Sequence, residues 1–120
     1  MILDELVTVM DGLRIPVETA SFSGKAPDQY VVLTPMEDVF EIFADNAPQM
    51  DVCSVRVSLF SKSNYLYTKD LLVDALLSAG FTLSLRRYIG RDDDSGYHHY
   101  VVDVEKEYIV RSDPLGNNRS

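Results

Sequence analysis

Apolar positions recur along the first residues of the chain with a helical period. Leu3, Leu6, Val7, Met10 and Leu13 follow the i, i+3, i+4, i+7 spacing that places one stripe on one side of a helix, which predicts a helix over Ile2–Leu13. Asp4 and Glu5 fall in its first turn, where negative charge suits the helix dipole, and Gly12 and Pro16 bracket the expected stop. A second helix is predicted over Tyr65–Ala79, with Leu72, Ala75, Leu76 and Ala79 as its stripe and Leu71 beside it. Ser63 or Asn64 can cap its start, Gly80 supplies a left-handed residue past its end, and Phe81 can pack back on the last turn.

The remaining segments have the period of two that marks strands. Val52–Phe60 is the clearest: Cys53, Val55, Val57 and Leu59 take one face, and Ser54, Arg56 and Ser58 the other. Val17–Phe22 is a short strand candidate, Tyr30–Thr34 is β-branched and aromatic, and Pro35 ends that strand or marks a sheet edge. Val39–Ala44 is expected to pair with Val52–Phe60 as a hairpin. Leu83 and Leu85 alternate with Thr82, Ser84 and Arg86 in a further strand, and the last strand lies within Tyr97–Tyr108, with Tyr100, Val102 and Val104 on one face. The order α-β-β-β-β-α-β-β predicts an α+β fold, a mostly antiparallel sheet with two helices packed on one face. Residues 1–110 are expected to form this single domain, and the polar, aperiodic residues 111–120 a flexible C-terminal tail.

Composition fits that reading. Of the 120 residues, 46% are hydrophobic and 25% charged, which is ordinary for a globular chain able to bury one core. The net charge of −8 repels phosphates and argues against tight nucleic-acid binding. One cysteine excludes an internal disulfide, the acidic start does not resemble a signal peptide, and no apolar run approaches a membrane span.

Candidate chemistry is sparse. His98 and His99 are adjacent, so in a strand they point to opposite faces and do not readily share a metal. Asp92, Asp93 and Asp94 are consecutive and run into Ser95-Gly96, which reads as a solvated turn rather than a calcium loop. Cys53 lies on an apolar face with no placed base, so an inert thiol is expected. No phosphate loop is present. Arg86, Arg87 and Arg91 form the one basic cluster, able to meet an acidic neighbouring subunit and otherwise a solvated strand face. No catalytic residue, metal or cofactor is therefore expected. The competing class is a small enzyme or ligand binder built around His98, His99 and the Asp92–Asp94 turn.

Five segments in order carry a family resemblance over about residues 1–110. The opening helix leads to Leu13-Arg14-Ile15-Pro16-Val17. Gly24-Lys25-Ala26-Pro27-Asp28-Gln29-Tyr30 opens a strand. Ala44-Asp45-Asn46 precedes the long strand from Val52 to Lys62, the second helix closes on Ala79-Gly80-Phe81, and Gly96-Tyr97-His98-His99-Tyr100 opens the final strand. In this arrangement the chain resembles the tail terminators, also called tail completion or neck proteins, of tailed phages and prophages. The resemblance implies a homomeric ring, expected as a hexamer, that caps the tail tube and joins it to the head through a head–tail connector protein. It implies residence in the virion, and in the host cytoplasm during assembly. DNA is expected to pass through the ring without sequence-specific binding, and no membrane is involved. Such a ring needs two unlike complementary surfaces on each subunit. The expected projections are the Asp45–Gln49 loop, with Asp45, Asn46 and Gln49, and the Asp92–Gly96 loop, with Asp92, Asp93 and Asp94. Alternatives are another head–tail connector or neck component, and a cellular protein-binding adaptor that takes a peptide at a sheet edge.

Overall fold

A computed structural model of the chain describes residues 1–18, 26–42, 48–112 and 118–119. Helix α1 spans Ile2–Leu13 and buries Ile2, Leu6 and Met10, a one-in-four stripe flanked by Leu3, Val7, Val9 and Leu13. Gly12, expected to bracket its end, lies within the helix. Arg14 instead takes the left-handed conformation, with φ 58° and ψ 37°. The Ile15 N–H then reaches back to the Met10 carbonyl and its side chain is buried, so a hydrophobic contact offsets the cost of a non-glycine residue there.

Helix α2 spans Tyr65–Ser78 and is capped by Asn64, whose side chain accepts from the Tyr67 N–H at 3.3 Å. Thr68, Leu72, Val73 and Leu76 form its buried face, while Leu71 is exposed. Gly80, with φ 90°, ends it, and the Phe81 N–H donates to the Leu76 carbonyl while its ring is buried. That termination matches the one read from the sequence.

The main sheet has five strands: β1 (Val17–Glu18), β2 (Gln29–Ile42), β3 (Pro48–Ser61), β4 (Thr82–Arg91) and β5 (His98–Ile109). Their spatial order is β1-β2-β3-β5-β4, and all pairs are antiparallel except β1 with β2. The fold is α+β, with both helices against one sheet face. Val31, Leu33, Val55, Val57, Leu59, Val102 and Val104 meet Leu6, Met10, Leu72 and Leu76 in one core. The predicted segment Tyr30–Thr34 and the Val39–Ile42 part of Val39–Ala44 both belong to β2, joined through a bulge between Pro35 and Glu37, while residues 43–44 lie outside the described residues. Among the described residues β1 pairs with Val31 and Val32 alone, and Pro35, opposite Val55 on β3, has no second strand beside it, a setting that suits a residue without an N–H. Leu83 and Leu85 do not share a face. A bulge between them sets Leu83 opposite Val104 on the core side and Leu85 opposite Asp103 on the other.

Two further short strands, β6 (Arg111–Ser112) and β7 (Asn118–Arg119), pair with each other in the segment expected to be a flexible tail. Residues 19–22 of the predicted first strand lie outside the described residues.

Candidate functional site

Residues directly opposite in an antiparallel ladder share a face. On the face away from the helices, the register aligns Tyr30, Phe60 and His99; Val32, Ser58 and Val101; Arg56 and Asp103; Glu37, Ser54 and Glu105; Val39, Val52 and Glu107; and Glu41, Met50 and Ile109. This face has two unlike ends.

At one end, β2, β3 and β5 run out as an arm. Val39, Val52, Met50 and Ile109 make an apolar strip, and Phe40 is exposed on the opposite side. Ile109 is 56% exposed and Val39 48%, so the strip leaves apolar surface open on both flanks of β3. Glu37, Glu41, Glu105 and Glu107 border the strip, and none makes an ion pair among the described residues.

At the other end lies a groove of about 520 Å³, lined by Tyr30, Phe60, Ile89, Arg91, Tyr97 and His99 among others. Tyr30 stacks on Phe60 with centroids 5.0 Å apart, and Phe60 on His99 at 4.3 Å. Tyr97 stands edge-on to Tyr30, donates to the Pro27 carbonyl at 2.6 Å, and has the Lys62 ammonium 4.8 Å over its ring. Burial, and then the positive charge of Arg56, hold the His99 imidazole below its usual pKa. Its Nε2 is buried with no hydrogen-bond partner among the described residues. Between the two ends, Arg56 grips Asp103 with two bonds of 2.8 and 3.0 Å.

The depressed His99 value gives a stability–pH prediction. Its neighbours are Arg56 and Phe60 on β3, Tyr30 on β2, Arg91 on β4, and Asp92 and Tyr97 in the turn. Because the folded value lies below the unfolded one, the unfolded chain takes up the proton first. Stability is therefore lost as pH falls below about 6.5, down to the folded value. Urea midpoints of the monomeric chain between pH 8 and 5 should fall less steeply in His99→Phe than in the native chain. Equal slopes would remove His99 as the cause.

Asp92, Asp93 and Asp94 lie in the turn between β4 and β5, next to the groove. The Asp92 carboxylate accepts from the Asp94 N–H at 2.9 Å, and these local donors lower its pKa. Asp92 thus holds its own turn. Asp93 pairs with Arg91 at 3.1 Å, and Asp94 is exposed. Asp45 and Asn46 lie outside the described residues. Gln49 lies in β3, and its side chain is likewise outside them. Arg86 and Arg87 are both exposed, with Arg87 opposite Val101 on the grooved face.

Histidines 98 and 99 point to opposite faces: the His98 Nδ1 lies 2.9 Å from the Tyr88 hydroxyl, and its ring stacks on Tyr65 on the helix side. The donor atoms of Asp38, Asp51 and Cys53 lie within 4.8 Å of one another, a grouping that the sequence reading missed. Burial, followed by those two carboxylates, pushes the Cys53 thiol up to about 12, so it stays protonated and is a poor nucleophile and a poor ligand. Nearby, Glu5 is bonded by Lys106 and Tyr108, which tie α1 to β5 and lower its carboxyl pKa.

Among the described residues no helix is long and apolar enough to cross a membrane. In comparisons with known proteins, no family model matches the chain and no curated protein matches it.

Proposed function

We propose that this chain is a structural subunit of a phage or prophage tail, a tail terminator that works by assembly rather than catalysis. Copies form a ring, a hexamer by the family resemblance, that caps the tail tube and presents a surface for joining the head. The observation that carries this reading is the unlike pair of ends on one open sheet face, a bare acidic apolar arm and an aromatic groove. Closed rings require such heterologous surfaces, whereas a two-fold dimer uses one self-complementary patch. Among the described residues the two sheet edges are also unlike: β4 on one side, and on the other β1, which pairs with Val31 and Val32 of β2 alone.

The first test is the mass of the purified chain by light scattering, over a range of concentration and salt, with and without purified tail tubes. A closed ring of about six subunits, or one formed only on tube ends, is the expected result. A chain that stays monomeric and ignores tube ends would sink the reading. Binding to the head connector alone would reassign the chain to another part of the neck.

A further inference from the structure

The two ends of the open face complement each other in chemistry, yet they cannot meet within one copy. Met50 and Phe60 lie on the same face of β3 ten residues apart, roughly 33 Å along a strand. The arm offers carboxylates around an apolar strip. Four glutamates border that strip, Glu105 and Glu107 two residues apart on β5, and none has a countercharge among the described residues. The groove offers apolar walls and basic side chains. Among the described residues His99 Nε2 is buried and unpartnered and Arg87 makes no ion pair, while Arg91 lies at the rim beside Asp92 with its Nη1 on Asp93. A carboxylate is the side chain that accepts from both an imidazole N–H and a guanidinium.

Resting on the ring reading above, we infer that the aromatic groove of one copy, flanked by Arg87 and Arg91, receives the glutamate-bordered apolar strip on the arm of the next copy. The occupant is thus a second copy of this chain, bound head to tail. Each copy presents its arm to one neighbour and its groove to the other, so the contact repeats by rotation until the ring closes. The apolar strip supplies buried area, and the charge pairs fix register and exclude wrong partners.

The experiment uses two full-length variants, Arg87→Glu with Arg91→Glu in the groove, and Glu41→Lys with Glu107→Lys on the arm. All four residues are exposed, so circular dichroism and urea midpoints should confirm that both variants fold. Each variant alone should lose the ring, its dissociation concentration rising roughly tenfold or more. Mixed in equal amounts, they should restore it. In an alternating ring every contact is then either the native pair or the doubly reversed pair, and both are complementary. Native mass spectrometry should show that alternating composition. Rings of native mass from either variant alone would overturn this contact and leave the ring reading standing. Loss in both variants without restoration on mixing would also overturn it. A native chain that never forms rings would remove contact and ring together. If a charge reversal prevents folding, the neutral pair Arg87→Gln with Arg91→Gln replaces it. Its rings should be weaker than the native ones and less sensitive to salt, and unchanged salt sensitivity counts against the contact.

Discussion

Leu76→Ala is expected to lower the unfolding free energy by about 2–5 kcal/mol. Leu76 is fully buried and lies in the cluster where α2, α1 and the sheet meet. Its removal takes away transfer free energy and leaves a void that three elements must close together. The higher helix propensity of alanine returns only a few tenths of a kcal/mol. Against a total stability of about 5–15 kcal/mol for a domain of this kind, the variant should fold but with a much lower urea midpoint. The control is Leu77→Ala, one residue on and 55% exposed, which should stay within about 0.5 kcal/mol of the native chain. Similar midpoints for the two variants would show that the wrong face of α2 has been assigned to the core.

That face was legible in the sequence, and it is instructive which features were not. The stripe through Leu72 and Leu76, the Gly80-Phe81 stop and the alternation through Val55, Val57 and Leu59 are local signals, set by period and backbone conformation. Pro35 reads as an end or an edge because its ring forbids a central ladder, and β2 runs on through it to Ile42, which sets the end alternative aside. The continuity of β2 through it depends on a bulge, which has no sequence period. The same holds for Leu85, which a second bulge turns away from Leu83.

The candidate site was less legible for a related reason. Turn composition drew attention to Asp92, Asp93 and Asp94, and the structure uses Asp92 largely to hold its own turn. The groove joins Tyr30, Phe60, His99 and Tyr97 from distant parts of the chain, and only the strand register brings those rings together. The arm did leave a trace, since Glu105, Glu107 and Ile109 share one parity on β5, as do Glu37, Val39 and Glu41 on β2. Without the pairing of β2, β3 and β5, that trace reads as an ordinary solvated face. The grouping of Asp38 with Asp51 and Cys53 was hidden in the same way, because Asp38 meets the other two only across the hairpin.

Arg56→Met is expected to destabilise the chain by about 2–4 kcal/mol at neutral pH. The guanidinium holds both oxygens of Asp103 in a bidentate pair, and the Asp103 side chain is only 8% exposed. Removing the cation leaves a buried carboxylate without its partner, a change that costs about 3–5 kcal/mol in a fully enclosed pair. Here Arg56 is 41% exposed, so water reaches the pair and the expected loss is smaller. The double variant Arg56→Met with Asp103→Leu should recover most of it, because replacing both partners with apolar groups removes the desolvated charge as well as the attraction. A double-mutant cycle on urea midpoints measures the difference. The variant carries a second readout in the groove. Arg56 is one of the two causes that hold His99 below its usual pKa, so the imidazole should titrate higher once the guanidinium is gone. Nuclear magnetic resonance of the His99 ring would follow that rise in the monomeric protein. A stability loss without the rise would confine Arg56 to the Asp103 pair, and an Arg56→Met protein as stable as the native chain would show that the pair contributes nothing to the fold.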